Sequence, residues 1–198
     1  MIKKSLVLCI IIMFMLNTVS ASDAMPDLKQ SINNVLAMFK DKQKSLSPEL
    51  KALQRKKIFQ IALDLFDFTE MSKRTIGKNW KSITPEKQKE FSHLFARFLA
   101  NIYYNRLEEY TNETVKFVDE RQHKNKVLIK TVVVTSQNEI PMDYKLVKSD
   151  KWRVYDVSIE GVSLIRNYRS QFNKILRKQG IDDLIAMMKK KLGQFSDL

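Results

Sequence analysis

The amino-acid sequence predicts an α+β fold, with several helices packed on one face of a four-stranded antiparallel sheet. Three observations carry that expectation. Apolar residues recur with a period near 3.6 through the first half of the chain, and the period drops to 2 over residues 115–159. The helical period then returns after Gly161. Short turns separate the strand-like runs, and connections of that length join only antiparallel neighbours. No repeat, low-complexity tract or Pro/Gly-rich linker interrupts the 198 residues, so a single domain is expected.

Composition narrows the class. At 44% hydrophobic and 29% charged the chain is an ordinary globular one, too apolar for a disordered polycation and too charged for a multi-span membrane protein. One cysteine excludes a disulfide scaffold and any cysteine-built metal site, and two histidines leave little for a transition metal.

The first element is a targeting segment. Lys3 and Lys4 precede an apolar run from Leu6 to Leu16, and Val19-Ser20-Ala21 suits cleavage after Ala21. That run is shorter than the roughly 20 residues a bilayer span requires. Cys9 sits inside it without the small residues that precede a lipoprotein cysteine. Residues 1–21 are therefore expected to be a cleaved signal peptide and 22–198 the folded domain, free of cysteine. The formal charge of +13 falls to +11 once Lys3 and Lys4 are gone. An exported basic domain meets anionic surfaces outside the cytosol, phospholipid headgroups among them.

The helices follow in order. Pro26 and Asp27 open a pattern with Leu28, Ile32, Val35, Leu36 and Phe39 on one face. Ser47-Pro48 is a start signal, since the hydroxyl caps free N–H groups and proline suits the first helical position. Leu50, Leu53, Ile58, Ile61, Ala62 and Leu65 continue that helix. Asp67 is placed to cap a short helix that Gly77 ends. Thr84-Pro85-Glu86 repeats the start signal before the longest stripe: Phe91, Leu94, Phe95, Phe98, Ile102, Tyr103 and Leu107.

Four strands are then expected over 115–119, 126–135, 141–147 and 152–159, with Met142, Tyr144 and Leu146 sharing one face of the third. After Gly161, a helix carries Leu164, Ile165, Tyr168, Phe172 and Ile175, and Gly180 separates it from a last helix over 181–192.

Little here resembles catalytic machinery. His93 and His123 lack the local partners of nucleophilic catalysis, and no Gly-rich phosphate loop or HExxH, CxxC or EF-hand spacing occurs. Asp156 and Glu160, near the end of the fourth strand, have the placement of a base in a cavity, as in small cone-shaped isomerases. An acid there is more often a helix cap or an ion-pair partner. The basic clusters at Lys56-Lys57, Arg121 to Lys126 and Lys189-Lys190-Lys191 suit solvated faces or a polybasic membrane contact, worth about 1 kcal/mol per charge near the surface. No aromatic-interleaved basic motif points to nucleic acid. The bulky apolar residues suit a packed core, and composition does not distinguish that from a cavity lining.

An ordered series of motifs adds what composition lacks. Phe66-Asp67-Phe68-x-x-Met71-Ser72, Gly77-x-x-Trp80 and Thr84-x-x-x-Gln88-x-x-Phe91-x-x-x-Phe95 are followed by Trp152-x-Val154-Tyr155-Asp156-Val157 and Glu160-Gly161-Val162-Ser163-Leu164. Asn167-Tyr168-Arg169-x-x-Phe172 and Gly180-x-x-x-Leu184 complete it. In order and spacing this series, running from about Leu28 to Leu192, resembles the MlaC (toluene-tolerance) family of periplasmic phospholipid-binding proteins. The lysine-rich tail lies outside the diagnostic part.

The resemblance implies a non-enzymatic carrier in the Gram-negative periplasm, without cofactor. Its cargo would be phospholipid, with acyl chains in a lipid-sized cavity between sheet and helices. The implied partners are an inner-membrane ABC transporter complex with a lipid-binding ring and an outer-membrane lipoprotein–porin complex, with transient contact to the membrane surface. The implied role is upkeep of outer-membrane lipid asymmetry. On this reading Phe91, Phe95, Phe98, Met142, Tyr144, Leu146, Val162, Ile165, Tyr168 and Phe172 line the cavity, and Arg166 and Arg169 meet the headgroup. The competing expectation is a small periplasmic hydrolase or isomerase that uses Asp156 or Glu160.

Overall fold

The computed structural model describes residues 23–40, 46–108 and 113–193. The segment expected to be a signal peptide, 1–21, lies outside the described residues. In order, the chain forms α1 (Ala24–Lys40), α2 (Pro48–Leu65), α3 (Phe68–Ile76), a short 3-10 helix (Gly77–Ser82) and α4 (Pro85–Glu108). The sheet follows as β1 (Thr114–His123), β2 (Lys126–Val134), β3 (Glu139–Lys148), β4 (Trp152–Ile159) and β5 (Val162–Ser163). Two helices close it, α5 (Leu164–Lys178) and α6 (Ile181–Leu192).

Local chemistry sets the helix ends. Ser47 Oγ accepts the Leu50 N–H at 3.4 Å, and Asp67 Oδ1 accepts the Glu70 N–H at 2.8 Å. Gly77 stops α3 with φ +58°, a conformation that costs a side chain dearly. Helix α1 begins two residues before Pro26, whose missing N–H is no loss in the first turn.

The sheet is antiparallel throughout, in the order β1-β2-β3-β4-β5. The expected four strands are thus corrected to five. Glu160 and Gly161 both take positive φ (+49° and +80°) and form a tight hairpin turn, after which Val162 and Ser163 pair back onto Ile159 and Ser158. A two-residue strand is too short to show a period.

Two register shifts shape the sheet's faces. One lies at Val118 in β1, the other at Tyr155 in β4, where Leu146 opposes Val154 but Lys145 opposes Asp156. Without the extra Tyr155, strict alternation would put Val154 and Asp156 on the same face. With it, Val154 and Val157 share the face of Leu146 and Tyr144, and Asp156 turns to the other.

Three apolar clusters result. The largest is helical and joins Met71, Ile76, Trp80, Phe91, Phe95, Phe98, Ile165, Tyr168, Phe172, Leu184 and Met188 from α3 to α6. A second places Ala24 and Leu28 of α1 against Val127, Ile129, Tyr144, Leu146, Val154 and Val157. A third gathers Phe39, Ile58 and Tyr104 where α1, α2 and α4 meet.

Candidate functional site

The face of the sheet that α1 covers is the chain's distinctive apolar surface. Register places Phe117, Thr131 and Met142 in line across β1–β3, with Ile129 beside Tyr144 and Val127 beside Leu146. Ile159 pairs with Met142 and extends the row onto β4. Toward the β1 end the face turns polar, where Glu120 opposes Ile129 and Gln122 opposes Val127. Within the row the hydroxyls have local partners: Thr131 Oγ1 donates to the Met142 carbonyl at 2.7 Å, and the Tyr144 hydroxyl donates to Met142 Sδ at 3.0 Å. Burial pushes the Tyr144 hydroxyl far above the ordinary tyrosine range, so it stays neutral. Half-buried Met25, Ile32, Leu65, Phe66, Phe117, Met142 and Ile159 form the rim, where the Lys29 ammonium stands 5.8 Å from the Phe117 ring centroid.

Helix α1 is shared between two partners. Ala24 and Leu28 face the sheet, while Phe39, with Val35, Leu36 and Met38 beside it, belongs to the third cluster. Spacing of three and four residues produces this single continuous stripe.

The ten residues expected to line one cavity fall into separate places. Met142, Tyr144 and Leu146 lie on the sheet face under α1. Phe91, Phe95, Phe98, Ile165, Tyr168 and Phe172 are buried in the helical cluster. There they interlock: Phe95 lies 5.6 Å from Tyr168 and 5.9 Å from Phe172 edge-on, and 6.0 Å from Phe91 in a stack. Burial, then the neighbouring Tyr103, pushes the Tyr168 hydroxyl up to about 12, with Arg106 opposing. Val162 joins neither group and is 61% exposed. Helical periodicity found the bulky residues but not which neighbour each would meet. Sequence reasoning missed Ala24, Leu28, Phe117, Val127, Ile129, Val154 and Val157 as members of the apolar face. The period-2 signal of Val127, Ile129 and Thr131 was present, but only the strand register says what it faces.

The opposite side of β4 is polar. Asp156 is buried and accepts from Ser163 Oγ at 2.8 and 3.0 Å, from the Ile165 N–H at 3.2 Å and from Lys145 Nζ at 3.0 Å. Ser163 Oγ in turn accepts the Arg166 N–H at 3.1 Å. The carboxylate thus fastens the start of α5 to the sheet. Glu160 is exposed in the β4–β5 turn. A cleft of about 240 Å³ opens beside Asp156, bounded by Arg74, Lys145, Tyr155, Arg166 and Arg169. Arg169 also borders a second cleft of about 390 Å³, with Gly77, Asn79, Asn173 and Arg177. Among the described residues no group of three His, Cys, Asp or Glu could hold a metal, and no helix is long and apolar enough to cross a membrane.

Comparison with known proteins gives this geometry its context. Residues 29–190 match the family model described as MlaC protein. The chain is 27% identical over 128 residues to the intermembrane phospholipid transport system binding protein MlaC of Haemophilus influenzae, across 61% of this chain and 60% of that one. It is 28% identical over 105 residues to the toluene tolerance protein ttg2D of Pseudomonas putida, across 52% and 49%. The chain thus spans about half to three-fifths of the length of these curated relatives. Its fold is similar to a phospholipid-binding protein of Ralstonia solanacearum solved in complex with a phospholipid. The TM-score is 0.75 and the identity 26%, over 87% of this chain and 98% of that one.

Proposed function

The chain belongs to the MlaC protein family, and from that premise we propose that it is a periplasmic phospholipid-binding shuttle between the outer and inner membranes. The observation that carries the reading is the apolar sheet face under α1, in a fold similar to that of a protein solved with a phospholipid. Acyl chains lie between α1 and the sheet, against Met142, Tyr144 and Leu146. Phe91, Phe95, Phe98, Ile165, Tyr168 and Phe172 form the fixed wall that keeps the helices in place, and Val162 stands at the exposed end of the sheet. Residues 1–21 direct export and are removed, leaving 22–198. An inner-membrane ABC transporter complex with a lipid-binding ring and an outer-membrane lipoprotein–porin complex take and give the cargo. The protein itself catalyses no reaction.

The energetics suit a carrier. Two acyl chains hold on the order of 30 methylenes at about 0.8 kcal/mol each, so release into water is prohibitive. Transfer from a bilayer to an apolar interior exchanges one such environment for another and needs little work. Direction then comes from the partners, and the chain has no Gly-rich nucleotide loop of its own.

The test is mass spectrometry of lipid extracted from protein purified without detergent. Co-purified phospholipid is expected, and its absence would sink the proposal. Ile32→Glu and Met142→Glu, two rim substitutions, should each lower the lipid content while circular dichroism stays unchanged. Full loading in both would place the cargo elsewhere.

A further inference from the structure

The polar side of β4 carries a feature that the carrier reading does not use. Four cations, Arg74, Lys145, Arg166 and Arg169, border the cleft of about 240 Å³, against the one carboxylate of Asp156. That carboxylate is already engaged by Lys145, Ser163 and the Ile165 N–H, so the surplus charge belongs to the arginines. Arg74 is held by Glu70 at 2.6 Å and lies 4.2 Å from the Tyr155 ring centroid. Its Nε–H is nevertheless buried without an acceptor. Arg166 and Arg169, three residues apart and so on neighbouring positions of one helix face, have no acidic partner among the described residues.

Arg169 is also held in place by shape. An ideal Cβ on Gly77 would stand 3.0 Å from Arg169 Nη2 and 3.4 Å from its Cζ, so the guanidinium rests against bare backbone. A guanidinium fixed in this way keeps its donor fork presented at little entropic cost. The cleft is smaller than the usual pocket for a drug-sized ligand, which suits a tetrahedral anion and its ester arms rather than an acyl chain.

We propose that the cleft between β4 and α5 is a phosphate-binding site, in which Arg166 and Arg169 grip a phosphoryl group with Arg74 behind it. Phosphate matches the guanidinium fork in bidentate fashion, and charge assistance strengthens each bond. Lys145 and Asp156 point to the face opposite Tyr144 and Leu146, so the site is separate from the acyl-chain surface. Resting on the carrier reading, its source is the phosphodiester of a glycerophospholipid at a bilayer surface, where it would orient the protein during exchange.

The experiment titrates the ¹⁵N-labelled protein with glycerophosphoglycerol, a tail-free phosphodiester, and separately with inorganic phosphate. Saturable shifts confined to the backbone of residues 163–169 and the arginine Nε signals are expected with the diester. Arg166→Gln with Arg169→Gln should weaken binding on the order of tenfold or more, the loss expected for charge-assisted hydrogen bonds. Lys189→Gln, Lys190→Gln and Lys191→Gln together should leave it unchanged. In flotation with phosphatidylcholine vesicles containing phosphatidylglycerol, the arginine variant should bind less than the lysine variant. No shift with either anion, or shifts centred on the lysine tail, would overturn the site. Binding of inorganic phosphate without the diester would overturn the lipid as its source. Co-purified lipid is measured in parallel on the parent protein. A protein that carries no lipid yet binds the diester would sink the carrier reading and leave this site standing.

Discussion

Asp156→Asn separates a structural carboxylate from a catalytic one. The native oxygens accept from Ser163, from the Ile165 N–H and from Lys145, all in a buried setting. Asparagine keeps one acceptor oxygen, enough for Ser163 and the Ile165 N–H, but loses the charge and leaves Lys145 facing an amide NH2 in place of its acceptor. Removing one member of a fully buried ion pair costs about 3–5 kcal/mol. The Lys145 side chain is 36% exposed and recovers part of its hydration, which leaves about 2–3 kcal/mol. For a domain of this size that lowers Tm by roughly 5–10 °C. Melts of Asp156→Asn, Lys145→Met and the double variant, followed by circular dichroism, measure it. The double variant should fall short of the sum of the singles, since the two groups share one interaction. Glu160→Gln, at an exposed turn position, should melt like the parent. A melting point for Asp156→Asn within about 2 °C of the parent would refute the argument that this carboxylate ties β4 to α5.

Two further outcomes test the helical cluster. Phe95→Ala removes a fully buried ring that contacts Phe91, Tyr168 and Phe172, so urea unfolding should show a loss of about 3–5 kcal/mol. The buried tyrosines set the alkaline limit. Tyr168 is pushed up to about 12 and Tyr144 higher still, whereas an unfolded tyrosine titrates near 10. Above that pH the folded state holds protons the unfolded chain has lost, so their contribution is full below about pH 10 and is lost as pH rises toward 12. The urea midpoint should fall between pH 10 and 11.5, and Tyr168→Phe should flatten part of that fall. A midpoint that does not move over this interval would contradict the burial of these hydroxyls.

What the sequence made legible was local. Ser47-Pro48 and Asp67 act on N–H groups three residues away, so a short window contains the whole mechanism. Gly77 ends its helix for an equally local reason, φ +58°. The period change near residue 114 marked the sheet because Val115 to Ile159 alternate or run apolar over whole strands. The faces were not legible. The bulge at Tyr155 reverses which of Val154, Asp156 and Val157 share a side, and only pairing with β3 reveals it. The two-residue β5 carries no period at all. Phe95 and Tyr144 look alike as bulky apolar residues, yet one lies among helices and the other under α1. The approach of Arg169 to Gly77 joins residues far apart in sequence, and neither signals the other.

On the proposed carrier reading, the division into clusters bears on how the chain would exchange cargo without unfolding. The helical cluster is interlocked by edge-on rings from α4 and α5, reinforced by Met71 and Trp80 on one side and Leu184 and Met188 on the other. None of these contacts involves α1. The sheet face, by contrast, is covered through Ala24 and Leu28, backed by half-buried Met25 and Ile32. An acyl chain taking their place exchanges apolar contact for apolar contact, and the hydrophobic term changes little as long as the area kept from water is similar. On that reading a permanent core and an exchangeable one would coexist in one domain.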